Sequence, residues 1–172
     1  MAGNHQLWAL DLAAGEVRRF AGTGREALDD GTLERSALAQ PSGLALANAR
    51  LYFADSETSS VRAADINADR VQTIVGEGLF EFGDRDGRGS EVRLQHCLDV
   101  ACDDGLLYVA DAYNNKIKLI EPATRSSKPS WEPARQACRT DRARRHASGS
   151  RAASAYPAAD CTSRIRTTTL SA

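Results

Sequence analysis

The sequence predicts an all-β fold built from repeated four-stranded units, and three observations carry that prediction. LYFADSETSSVRAAD at 51–65 aligns without a gap to LYVADAYNNKIKLIE at 107–121, an offset of 56 residues. Short apolar runs are divided by turn signals at roughly 8–12-residue intervals, the spacing of small antiparallel strands. No apolar stripe of helical period runs through residues 1–124, and the one candidate for a helical turn is Arg25–Leu38.

The repeat is close in detail. Leu51, Tyr52, Ala54 and Asp55 recur as Leu107, Tyr108, Ala110 and Asp111, with Val61 and Arg62 recurring as Ile117 and Lys118. A second comparison reaches the start of the chain: QLWALD at 6–11 matches SVRAAD at 60–65, and FAGTG at 20–24 matches IVGEG at 74–78, now offset by 54. The two-residue difference falls between Gly78 and Asp86, in a connecting loop, where insertions are tolerated better than in strands.

The complete unit starts with the apolar run Gly43–Ala47. Leu51–Asp55 follows after a turn at Asn48-Ala49, then Ser60–Asp65, then Arg70–Gly76. In the last, Val71, Thr73 and Val75 alternate with Gln72 and Ile74, the period of a strand. Long loops at 25–40 and 79–97 join one unit to the next. Each holds an Asp-Gly turn, Asp30-Gly31 or Asp86-Gly87, the one within 84–91 expected to take up positive φ, and each ends in a Gln, Gln40 or Gln95. A four-stranded meander at this period is the pattern of a β-propeller blade. The expected architecture is a partial β-propeller of about two to three four-stranded blades. It comprises the outer half of one blade, a whole second and three strands of a third, so the chain reads as truncated at both ends.

Composition divides the chain at Thr124. Residues 1–124 carry 12 Lys+Arg against 20 Asp+Glu, and residues 125–172 carry 10 against 3. The second segment has only Ile165 and Leu170 as aliphatic core residues, too few to offset the entropy of ordering it. A disordered basic tail is expected over 125–172, and a shifted reading frame explains its Arg/Ala/Ser/Pro character. Its charge would attract phosphate, but it has no aromatic interleaving and nucleic acid is not expected as a partner. No signal peptide and no apolar stretch long enough to span a membrane are read, and four cysteines without a CxxC pair favour a reducing, cytoplasmic setting.

Candidate chemistry is sparse. Cys97 and Cys102 are expected on opposite faces of one strand, as core or loop thiols rather than a redox pair. His5, His96 and His146 are scattered, with no zinc-ligand spacing. DRDGRGSE at 84–91 is faintly like a calcium loop, but Gly87 is at the fourth position rather than the sixth, so a plain turn is expected. Asp55 and Asp111 could contribute to a carboxylate ring at a propeller mouth. Their recurrence favours a structural role, capping the turn after the second strand by bonding N–H groups two residues on. Tyr52 and Tyr108 are expected between blades. No metal and no cofactor are expected.

These residues resemble the NHL-repeat family of β-propellers. NHQLW at 4–8 and YNNKIKL at 113–119 are similar to its signature, placing Asn4, His5, Asn114 and Asn115 at signature positions. QPSGLAL at 40–46 matches the family's Gln-Pro-x-Gly pattern through Gln40, Pro41 and Gly43, and LYFADS and LYVADA add Tyr52, Asp55, Tyr108 and Asp111. Cys97 and Asp99 stand where the pattern has Pro and Gly. FAGTG, IVGEG and the long Asp-Gly loops look like a subgroup in which a thioredoxin-like domain precedes an NHL propeller. The resemblance covers residues 4–124. It implies a non-catalytic protein-interaction or scaffold module with a protein partner, and self-association is expected separately, because the end blades lack the neighbours that would cover their apolar faces. The alternative is part of a thioredoxin-like oxidoreductase carrying a C-terminal propeller.

Overall fold

The computed structural model describes residues 2–129, which form ten strands in three antiparallel sheets. β1 (Leu7–Asp11) and β2 (Glu16–Ala21) make a two-stranded sheet. β3 (Pro41–Ala47), β4 (Arg50–Asp55), β5 (Ser60–Asp65) and β6 (Arg70–Val75) make a four-stranded meander, as do β7 (Cys97–Asp103), β8 (Leu106–Asp111), β9 (Lys116–Glu121) and β10 (Ser126–Pro129). This is the partial propeller expected, with two complete blades after an outer half. Among the described residues no helix is long and apolar enough to cross a membrane. The basic tail and the frame-shift expectation fall on residues 130–172, outside the described residues.

The boundary expected at Thr124 is corrected by β10. Ser126, Ser127, Lys128 and Pro129 pair with Glu121, Ile120, Leu119 and Lys118 in the register by which Arg70, Val71, Gln72 and Thr73 pair with Asp65, Ala64, Ala63 and Arg62. RSSKP hides this strand from a hydrophobic reading, because Ser127 stands where Val71 fills the core. Backbone geometry supplies the missing signal. The turn between third and fourth strands needs one left-handed residue, and Gly15, Asp69 and Arg125 supply it at φ 68°, 49° and 57°. The Ser127 N–H then donates to the Gly87 carbonyl, as the Val71 N–H does to Gly31, while the Gly87 N–H donates to the Ser127 hydroxyl where Gly31 donates to the Val71 carbonyl.

Left-handed residues recur elsewhere in the unit. His5, Ser59 and Asn115 precede the third strand at φ 51°, 47° and 54°, and Gln40 and His96 precede the first at 60° and 51°. The hairpin between first and second strands has positive φ at both Asn48 and Ala49, as at Asp104 and Gly105, which suits the twist of the flanking strands. In Arg25–Leu38 the helical element is a single turn, the Ser36 N–H donating to the Thr32 carbonyl at 2.9 Å, while Glu26 bridges Leu38 and Asp29 bridges Ala37 as extended backbone. In the turn expected at DRDGRGSE the positive φ falls at Gly89, at 56°, and not at Gly87, whose carbonyl accepts from the fourth strand as that of Gly31 does.

Two apolar clusters join the sheets. Leu7, Ala21, Leu38, Phe53, Ala64 and Val71 pack between the first and second. Tyr52, Ala54, Val61, Val75, Leu94, Cys97, Val100 and Leu107 are among those packed between the second and third. Gly43 marks the closest approach: a β-carbon there would overlap the Cα and carboxylate of Asp99 on the neighbouring first strand. Tyr52 is 7% exposed in this interface, whereas Tyr108, expected to pack likewise, is 38% exposed on the outer face of the third sheet.

Candidate functional site

The polar residues that recur are tied into the fold. Arg62, fully buried on β5, donates through Nη1 to Asp55 at 2.9 Å and to the Ala37 carbonyl at 2.7 Å. Nη2 reaches the Asp29 carbonyl at 2.8 Å and Asp30 at 3.0 Å. Its Nε has no acceptor, and the guanidinium stands 5.9 Å from the centre of the Phe53 ring. Asp30 also accepts from the backbone N–H and hydroxyl of Thr73. One buried cation therefore fixes the long loop to the second and third strands of the following blade. Burial pushes the Asp55 carboxyl up, against the opposing pull of Arg62 and the Ala39 N–H.

In the next unit Lys118 takes the place of Arg62 and reaches Asp84 at 2.8 Å and Asp86 at 2.9 Å. Burial works against its charge, but the two carboxylates hold its pKa above the ordinary lysine value. Asp111, raised by burial, accepts from Asn114 Nδ2 at 2.8 Å and from the Gln95 N–H at 2.7 Å. Asn114 also donates to the Gly83 carbonyl at 2.6 Å. Asp84 is held below its ordinary value by Lys116 and Lys118. The DRDG segment is thus a receptor for lysines.

The expected capping role of Asp55 and Asp111 is corrected. Each accepts from an N–H sixteen residues upstream, Ala39 or Gln95, and so ties the loop before the first strand to the end of the second. N–H groups two and three residues on are bonded by Asp11 and Asp65, which end the third strand. Spacing alone hides the distinction, because both aspartates end a strand before a turn.

Among the remaining signature residues, His5 and Gln40 bind one unit to the next. His5 Nδ1 accepts from the Gln40 N–H at 3.2 Å, and Ser59 Oγ from the His96 N–H at 3.0 Å, the same bond one unit on. Pro41 is buried and pairs with Asp55. Asn4 lies in a 3-10 turn, exposed, and Asn115 supplies the left-handed position after its own 3-10 turn.

Cys97 and Cys102 are both free and share a face, contrary to the count of residues between them. A bulge between Cys97 and Asp99 adds one residue and returns the pleat to the same side. The Cys97 thiol is sealed, donates to the Ser60 carbonyl at 3.2 Å and is pushed up by burial. Among the described residues no group of three or more His, Cys, Asp or Glu side chains is arranged to hold a metal ion.

Non-recurring residues collect at the long-loop end of the second and third sheets. The His96 and Tyr113 rings stack with centres 4.6 Å apart, and Glu57 lies 3.9 Å from His96 Nδ1. Phe80 and Phe82 stand exposed on the loop that contains the two-residue insertion. Sequence reasoning singled out neither phenylalanine, although the change of offset located their loop.

No protein-family model matches the chain. Its relatives include SUPPRESSOR OF QUENCHING 1, chloroplastic, from Arabidopsis thaliana, 44% identical over 73% of the chain. NHL repeat-containing protein 2 from Bos taurus and Homo sapiens is 43% and 42% identical over 73%. The chain spans 13% of the Arabidopsis protein and 20% of the other two. A Bacteroides thetaiotaomicron protein of unknown function matches in fold with a TM-score of 0.64 at 23% identity, over 69% of this chain and 30% of its own. An auxiliary nutrient binding protein from Bacteroides ovatus matches at 0.58 and 22%, over 69% and 32%. With the bond from Gln40 to His5 recurring as that from His96 to Ser59, the Arabidopsis, bovine and human relatives establish that the chain belongs to the NHL-repeat family of β-propellers.

Proposed function

We propose that the chain is a non-catalytic interaction module. The observation that carries this reading is the engagement of the polar groups at the ends and centres of its repeated strands. Asp55, Arg62, Asp111, Asn114 and Lys118 all end on partners within the fold. Groups so held brace the blades and offer no nucleophile or general base to a substrate. The sealed Cys97 thiol speaks in the same direction against a redox role, and free cysteines suit a reducing compartment such as the cytoplasm. Assays of lactone hydrolysis, phosphate-ester hydrolysis and insulin disulfide reduction should show no turnover above that of heat-denatured chain. A rate abolished by Asp55→Asn or Cys97→Ser would overturn the reading.

Self-association belongs to the same proposal. Tyr108 and Ile117 are exposed where their counterparts Tyr52 and Val61 are buried. Sedimentation velocity should show a concentration-dependent increase in mass, and an unchanging monomer would remove this part.

A further inference from the structure

Residues that recur in each unit serve as struts and turns, so a site of single occurrence has to be built from those that do not recur. The insertion between Gly78 and Asp86 is the largest such departure. It sets Phe80, Glu81 and Phe82 where the earlier loop has residues of the run Arg25–Asp29. Phe80 is 85% exposed and Phe82 56%. The loop is nonetheless anchored. The Gly83 N–H donates to the Leu94 carbonyl at 2.9 Å, the Gly83 carbonyl accepts from Asn114, and Lys116 pairs with Asp84. Two residues beyond Leu94, His96 stacks on Tyr113, which is 63% exposed. His96 and Tyr113 occupy the repeat positions of Gln40 and Glu57.

The earlier loop, which two more sheets follow, leaves Arg25, Glu26 and Asp29 exposed and Ala27 and Leu28 half-buried, and the Glu57 side chain keeps 38% exposure beside the third sheet. Charge selects the partner. Glu81 lies between the two phenylalanines, with Glu77 close by in sequence, and one arginine, Arg93, is shared between both glutamates. Glu57 adds a carboxylate beside the His96–Tyr113 stack. Aromatic faces attract cations, and more strongly where acids reinforce them. The acidic excess over residues 1–124 would draw a basic partner toward the module.

We propose that this loop end docks an extended cationic segment of a partner protein, receiving a Lys or Arg side chain among Phe80, Phe82 and Tyr113. The proposal rests on the interaction-module reading and names its partner class. The test uses the full chain and fluorescein-labelled 12-residue Gly/Ser peptides in a polarisation assay. The peptides carry two central residues as Lys and Arg, as norleucine and citrulline, or as two Glu. The Lys/Arg peptide should bind, and the neutral and acidic peptides about tenfold or more weaker. Phe80→Ala with Phe82→Ala, and separately Glu81→Lys, should each weaken binding about tenfold, while Val17→Ala on the first sheet leaves it unchanged. Because these side chains are exposed, loss of fold does not confound the result. Equal binding of the neutral peptide, binding unaffected by the double variant, or no binding at all overturns the proposal. The interaction-module reading fails separately, in the turnover assays.

Discussion

The second and third sheets repeat each other residue for residue at an offset of 56, yet their long loops are held by different chemistry. In the second, one planar guanidinium with both Nη atoms engaged joins the buried Asp55, the half-exposed Asp30 and two backbone carbonyls. In the third, Lys118 is a point charge shared by two half-exposed aspartates, and Asn114 takes over the grip on Asp111. Arginine can hold four acceptors from one buried position because its donors are fixed in a fork, and lysine cannot. The repeat therefore keeps a connection between loop and blade while the side chain making it, and the number of acceptors it holds, changes.

The largest contrast is expected between the two cations. Arg62→Ala leaves Asp55 buried without its partner and should cost about 3–5 kcal/mol in urea unfolding. Lys118→Ala leaves carboxylates that water can reach, and about 1–2 kcal/mol is expected. Equal losses would show that the two struts bear the same load.

Next come the tyrosines. Tyr52→Ala should cost about 3 kcal/mol and Tyr108→Ala about 1, because only the first sits between two sheets. Differential scanning calorimetry on both variants would check the ordering. A smaller effect with the opposite sign is expected at the hairpins. Ala49 holds the left-handed position that Gly105 holds in the third sheet, at φ 59° against 77°. Ala49→Gly should raise stability by roughly 1 kcal/mol, read as a shift in urea midpoint.

The pH contrast is the finest. Asp84 is held below its ordinary value of 3.8 by Lys116 and Lys118. Its contribution is present above that value and is lost as pH falls through the lower folded value. Asp84→Asn should therefore narrow the gap in stability between neutral and strongly acidic solution. A variant whose acid limb matches that of the parent would show that Asp84 is not the group titrating there.

Much of this architecture was legible in the sequence. Hydrophobic alternation and the two offsets located the strands β1 to β9 to within a few residues, because side chains facing a shared core must repeat. β10 was hidden because its place in the sheet comes from a left-handed Arg125 and from the bonds of the Ser127 N–H and hydroxyl to Gly87, neither of which leaves a hydrophobic trace. The bulge after Cys97 inverted an inference from odd spacing for a similar reason. The roles of Asp55 and Asp111 were legible as structural, but their partners sixteen residues upstream are set by loop closure rather than by local sequence. The aromatic loop was visible only as a change of offset, since exposed phenylalanines carry no periodicity.

The last described residue of β10 has a consequence for how this molecule meets its own kind. Thr73 turns its N–H outward, to Asp30, and the matching place in the third sheet is Pro129, which has no N–H to offer. An outer edge of free donors and acceptors is a template on which a foreign strand can grow. Pro129 breaks that row of donors, and Lys128 places a charge beside the gap. Runaway strand addition, the route to fibres, is thereby discouraged along the outer rim of the third sheet.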